Sequence, residues 1–209
     1  MKKLIGLLLT GVLVFSLAAC GKNKAGDNQT PGENGQSTVE ESVDNAQTDT
    51  LEETNYGVGV TMEDIKTALV ETFGDNYWPS SEIPADMLQE LCGIAPEMYD
   101  EYYAEMPMIS TNVDTVIIVK AKEDQVTAVE DALNAYRDML VNDSMQYPMN
   151  VGKIQASRIE TFGQYVCFVQ LGADTMEAAE SGDEAVIEKC QQDNELALEV
   201  IENTLVKNQ

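Results

Sequence analysis

Four consecutive β-branched residues, Val116-Ile117-Ile118-Val119, constrain this 209-residue chain more than any other stretch. An unbroken apolar run of strand length, rich in branched side chains, is the pattern of a strand buried in a core. Residues 113–121 are expected to form that strand, and the rest of the fold has to cover it. After it, Val126, Val129, Leu133, Tyr136 and Leu140 recur on one stripe and predict a long amphipathic helix over 123–141. The segment Gln146-Tyr147-Pro148-Met149-Asn150 ends that pattern. Two strands are then expected at about 153–161 and 164–171, joined tightly through Phe162-Gly163. Asp183 caps a last helix to about Leu205, with Val186, Ile187, Cys190, Ala197, Leu198 and Ile201 facing inward.

Ahead of the buried strand the signals are helical. Thr61 and Asp64 have capping-box spacing. Met62, Ile65, Leu69, Val70 and Phe73 recur at helical intervals, and Gly74 is a natural stop. Pro84 and Pro96 each suit a first helical turn and predict short helices at about 84–92 and 96–105. The expected order is α-α-α-β-α-β-β-α. It reads as an α+β fold: N-terminal helices followed by a β-α-β-β-α unit, with a small mixed sheet and helices packed on one face.

The N-terminus carries a different kind of signal. Lys2 and Lys3 precede an apolar run from Leu4 to Leu17, and Ala18-Ala19-Cys20 closes it. Length, charge and small residues at the end are those of a secretory signal. The run is shorter than the roughly 20 apolar residues that a membrane span needs. Leu17-Ala18-Ala19-Cys20 resembles the lipobox of bacterial lipoproteins. The resemblance implies cleavage between Ala19 and Cys20 and a diacylglycerol thioether, with palmitate-type chains, on the Cys20 sulfur. Two acyl chains anchor stably where one holds only reversibly. Gly21 to Tyr56 is polar and poor in large apolar residues, so it cannot offset its own ordering entropy. The expected organisation is a lipoprotein signal peptide at 1–19, a lipidated cysteine and disordered tether at 20–56, and one acidic α+β domain at 57–209. The expected address is the extracytoplasmic face of a cell membrane.

Charge and composition exclude several function classes. The chain has 37 Asp and Glu against 12 Lys and Arg and a net charge of −25. No basic patch is present to neutralise phosphates, so nucleic acid is not an expected partner. There is no histidine. Ser-His-Asp and Cys-His catalysis, His-ligated zinc and the usual near-neutral pH switch are therefore absent. With Cys20 assigned to lipid, Cys92, Cys167 and Cys190 remain. Each sits in an apolar stripe, and buried free thiols are the leading expectation, ahead of one disulfide.

Three constellations could carry chemistry. Glu97, Asp100, Glu101 and Glu105 would form a carboxylate stripe if 96–105 were helical, able to hold a cation such as calcium. A solvated face explains the same spacing without function. Tyr77, Trp78, Tyr99, Tyr102 and Tyr103 form an aromatic cluster; core packing explains most of it, and Trp78, Tyr77, Tyr99 and Tyr103 are the candidate binding residues. Lys120 and Lys122, with Arg137, Lys153 and Arg158, could form an anion site or pair with neighbouring acids. No catalytic residue, metal ligand or cofactor is expected, and no phosphate loop or nucleophile elbow occurs.

From Thr61 onward the order of elements is similar to a family of Gram-positive bacterial lipoproteins with a C-terminal domain of unknown function. The carrying pieces are Val116-Ile117-Ile118-Val119-Lys120-Ala121-Lys122, the Val129/Leu133 helix, Tyr147-Pro148, and Gly163-Gln164-Tyr165-Val166-Cys167-Phe168-Val169. The resemblance implies location and fold type and transfers no catalytic residue. The expected function is a non-enzymatic, membrane-anchored interaction module at the cell envelope. The alternatives are a small extracytoplasmic ligand-binding protein, with its pocket near Trp78 or Tyr147, and an enzyme using carboxylates or a metal. The partner would accordingly be an envelope protein or a small molecule.

Overall fold

A computed structural model describes residues 54–109, 111–143 and 145–207. The signal segment, Cys20 and most of the tether lie outside the described residues. The apolar run forms the centre of strand β3 (Thr115–Ala121). A second strand, β5 (Tyr165–Gln170), pairs with it antiparallel and is buried at every position. The sheet has five strands in the order β1-β2-β3-β5-β4, where β1 is Ser81–Glu82, β2 is Tyr99–Met106 and β4 is Arg158–Phe162. Every pairing is antiparallel, so the expected mixed sheet is corrected to an antiparallel one.

The α+β class holds, with helices on both faces of the sheet rather than one. On one face, Val116, Ile118, Cys167 and Val169 pack against Ile65 and Leu69 of α1 (Met62–Phe73). The same face meets Ala197, Leu198 and Ile201 of α6 (Asp183–Val206). On the other, Ile117, Val119, Val166 and Phe168 pack against Leu88 of α2 (Ala85–Cys92) and Val129 and Leu133 of α3 (Val126–Asn142). The reason lies in the run itself. Side chains alternate across a strand, so consecutive apolar residues leave both faces needing cover. Burying a side chain such as Phe168 or Leu133 is worth about 1.5–3 kcal/mol.

Two expected elements are corrected. Residues 96–105 are not a helix: Pro96–Met98 make one 3₁₀ turn and Tyr99–Met106 continue as β2. Central β3 has two edges to satisfy with hydrogen bonds. β5 takes one, and β2 takes the other with Tyr102↔Val119, Ala104↔Ile117 and Glu105↔Val116 opposed. Alternation then sends Tyr102, Ala104 and Met106 to the α3 face and Tyr103 to the α1 face. The register slips between Tyr99 and Glu101, so Tyr99 returns to the face of Tyr102. Their rings meet edge-on at 5.2 Å. The expected strand at 153–161 is likewise divided. Pro148 opens helix α4 (Pro148–Ala156), and β4 starts only at Arg158. A short helix α5 (Met176–Ser181) precedes α6.

Asp183 is the first residue of α6 rather than its cap, which is Gly182, and no side chain caps that end. Three further features match the sequence or refine it. Thr61 and Asp64 form the capping box reciprocally: the Thr61 N–H donates to Asp64 Oδ2 at 2.8 Å, and the Asp64 N–H donates to Thr61 Oγ1 at 3.2 Å. Cys92, Cys167 and Cys190 are buried free thiols. Tyr56, placed in the tether by sequence, instead packs on Phe162, with ring centroids 5.8 Å apart. Gly57 beside it has φ +76°, and a side chain there would run into the Tyr165 ring. Packed structure thus begins just before residue 57.

Candidate functional site

Antiparallel pairing brings one set of strand ends together: the starts of β1, β3 and β4 and the ends of β2 and β5. Loops 77–80, 107–114 and 171–175 and the chain between α3 and α4 gather at this end. Asp114, the residue before β3, has no exposed surface. Lys153, projecting from α4, places its ammonium 2.7 Å from Asp114 Oδ1 and is itself only 6% exposed. The Gly172 N–H donates to Asp114 Oδ2 at 3.2 Å, and the Asp114 N–H donates to Asn112 Oδ1 at 2.8 Å. Burial pushes the Asp114 carboxyl above the usual carboxylate range, and the Lys153 charge draws it part of the way back.

Asparagines fasten this pair to the frame. Asn194 of α6, fully buried, accepts from the Leu171 N–H at 2.8 Å and donates to the Ala156 carbonyl at 2.9 Å. Asn150 of α4 donates to the Thr111 carbonyl at 3.1 Å. Gly172 lets the layers close, since a Cβ there would stand 2.6 Å from Cys190 Sγ. Trp78 covers the pair from outside. The Lys153 ammonium lies 5.4 Å from the ring centroid, within cation–π range, and the ring remains 42% exposed.

A second polar chain starts at the neighbouring residue. Tyr77 and Tyr103 hydroxyls are 2.5 Å apart. Tyr103 donates to Glu105 Oε2 at 2.7 Å, and Lys66 of α1 donates to Glu105 Oε1 at 2.8 Å. Burial raises both phenols, so they stay protonated and act as hydrogen-bonding groups. The chain ties α1, β2 and the 77–80 loop into one body.

Large apolar side chains stand exposed around this base. Met108 and Ile109 follow β2; Met145 and Tyr147 lie between α3 and α4; Met149 is in the first turn of α4; Met176 opens α5. A cavity of about 420 Å³ runs between α4 and α5–α6, walled by Met149, Val151, Val186 and Ile187. A smaller cavity of about 190 Å³ lies on the α3 face between Pro107, Ile109, Val113, Tyr136 and Leu140.

Of the aromatic candidates, Tyr77, Trp78 and Tyr103 come together at this end. Tyr99 does not: it pairs with Ala121 at the opposite end of the sheet. The carboxylate stripe is corrected outright. On a strand Glu101 turns to Lys120 at 3.8 Å, Asp100 sits at the register slip and Glu105 is buried under Lys66. Among the described residues no group of three acidic or cysteine side chains could hold a metal ion, so the calcium expectation has no site there. The basic residues are also dispersed. Lys122 donates to the Glu97 carbonyl, and Arg137 donates to the Ser157 carbonyl at 2.9 Å.

Sequence reasoning missed Asp114, Asn112, Asn150, Gln170 and Asn194. The available signal was Thr111-Asn112-Val113-Asp114, three polar residues in four, directly before the most apolar strand. Four of the missed residues fall where the chain is similar to a known family: residues 72–171 match the model of a domain of unknown function, DUF4358. The match runs from the end of α1 to Leu171, so it includes all five strands and Trp78, Asn112, Asp114, Lys153 and Gln170, and leaves α6 outside. No curated protein and no solved structure matches the chain.

Proposed function

We propose that the protein is a lipid-anchored, extracytoplasmic interaction module of the kind found in Gram-positive lipoproteins. It presents the loop end of its sheet to a partner in the cell envelope. The observation that carries this reading is the exposed apolar set on that end, Met108, Ile109, Met145, Tyr147, Met149 and Met176, with Met145 87% exposed. Contiguous exposed apolar surface is a mark of recognition. Methionine is suited to it because its side chain is flexible and polarizable and adapts to a partner's shape. The base beneath is rigid, held by the Asp114–Lys153 pair and the Tyr77–Tyr103–Glu105–Lys66 chain, so binding need not order the scaffold. Anchoring is supported by Leu17-Ala18-Ala19-Cys20 and the polar stretch after it. No helix among the described residues is long and apolar enough to cross a membrane.

Two measurements test the reading. Mass spectrometry of the N-terminal peptide from membranes should find Cys20 as a diacylated thioether, and an unmodified thiol there rules out the anchor. Photo-crosslinkers at Met149 and Met176 in cells should each give one discrete adduct that Met145→Glu abolishes. A crosslinker at Glu130 on α3 should give none. Equal adducts from all three positions, or none from the loop end, refute the interaction surface.

A further inference from the structure

Two of the residues that line the smaller cavity at the loop end each carry a buried polar atom with no partner among the described residues. Asn112 uses its Oδ1 to accept from the Asp114 N–H, which fixes its amide orientation and leaves Nδ2 as a donor. Gln170 uses its Nε2 to donate to the Val113 carbonyl, which leaves Oε1 as an acceptor. Neither remaining atom has a hydrogen-bond partner among the described residues. Asn112 is 8% exposed and Gln170 1%. An unsatisfied buried polar atom costs about 1–3 kcal/mol, so two beside one cavity call for an explanation. Both residues line the 190 Å³ cavity; its other walls are Thr115, whose hydroxyl already donates to the Val113 carbonyl at 3.0 Å, and the apolar side of Met106, Pro107, Ile109, Val113, Tyr136 and Leu140.

We infer that this cavity is a binding site for a neutral carboxamide carried on a short apolar group. The donor–acceptor pair decides the chemistry. A carboxylate brings only acceptors and would face Gln170 Oε1 unfavourably. An ammonium brings only donors and would leave Asn112 Nδ2 unmet. An amide brings one of each, and its apolar substituent meets the walls. At about 190 Å³ the cavity is below the roughly 300 Å³ where drug-sized pockets begin, so it admits a small group rather than a whole cofactor. The site deepens the proposed interaction surface by naming what a partner would insert there.

The test is a titration of the full chain, followed by nitrogen–proton NMR, with four matched probes: isovaleramide, isovalerate, isoamylamine and isoamyl alcohol. Isovaleramide should give saturable shifts at the side-chain amides of Asn112 and Gln170, with isovalerate and isoamylamine at least tenfold weaker. Gln170→Leu should abolish the shifts. Leu140→Phe, which fills the cavity from α3 and keeps both amides, should abolish them too. N-methylisovaleramide binding equally well assigns the source to a peptide unit; isovaleramide alone assigns it to a free primary amide. No saturable shift, equal binding of all probes, or equal binding of the alcohol overturns the inference, the first and last meaning that the pair serves an ordered water only. These outcomes are separable from the anchoring and crosslinking tests, since neither depends on isovaleramide.

Discussion

Replacing Lys153 with methionine would leave the Asp114 carboxylate buried with no opposing charge. The geometry makes the consequence large. Asp114 has no exposed surface, its Oδ1 is 2.7 Å from Lys153 Nζ, and its one further donor is the Gly172 N–H. Breaking one side of a buried pair costs about 3–5 kcal/mol. For a domain of this size that lowers the melting temperature by roughly 10 °C. Adding Asp114→Asn removes the stranded charge and keeps an amide oxygen for the Gly172 N–H. The double variant should therefore recover most of the loss, leaving about 1–2 kcal/mol for the lost charge-assisted hydrogen bond and the Trp78 contact. The deficit must also depend on pH. A carboxyl whose folded pKa is raised contributes full stability below its unfolded value, near 3.9, and loses it as pH rises through the folded value. Removing Lys153 raises that folded value further. The single-variant deficit should be small near pH 4 and grow toward pH 7, and the double variant should lack this slope. Urea unfolding by circular dichroism supplies the free energies. Fluorescence of Trp78, the chain's one tryptophan, reports the site directly. A deficit under about 1 kcal/mol at pH 7, or one that shrinks with rising pH, would refute the reasoning.

Gly57→Ala should cost about 3 kcal/mol, because a positive φ is combined with a collision against the Tyr165 ring, whereas Gly93→Ala, at φ +73° in open space, should cost about 1 kcal/mol; paired thermal melts check the difference. Asp64→Asn should lower the melting temperature at pH 7, since bonds from Thr61 hold that carboxyl below its ordinary value. The difference from wild type should vanish as pH falls through the lowered value, the direction expected when the native state favours the charged form. Burial pushes the Cys92 thiol up to about 12 and the Cys190 thiol up to about 11, and it raises Cys167 as well. All three should resist a thiol reagent in the native protein and react together in denaturant; rapid native labelling of any one would contradict its burial.

Much of the fold was legible locally. The capping box at Thr61 and Asp64 needs only neighbouring residues, and α3 and α6 each bury a stripe readable from spacing. The cysteines were placed correctly for the same reason. The failures share a cause. Tyr99–Met106 carries apolar residues at intervals compatible with a helix or a strand, and the choice was made by the open edge of β3 opposite. Pro148 could equally end a loop or begin a helix. It begins one because α4 packs against α6 and delivers Lys153 to Asp114. The carboxylate stripe failed with its helix, since a strand sends alternate acids to opposite faces. Of the aromatic candidates, Tyr77, Trp78 and Tyr103 meet at the loop end, whereas the strand of Tyr99 carries it to the far end of the sheet.

By itself, then, the sequence determined the buried strand, the helices that carry its own periodic signal, the absence of histidine chemistry and the acidic balance. These follow from composition and from contacts between near neighbours. The antiparallel order, the second covered face and the polar cluster at the loop end were decided only by tertiary structure. Asp114 and Lys153 are 39 residues apart, and Leu171 and Asn194 are 23 apart. Whether such groups meet depends on backbone hydrogen bonds and apolar faces that must be satisfied across the whole sheet at once.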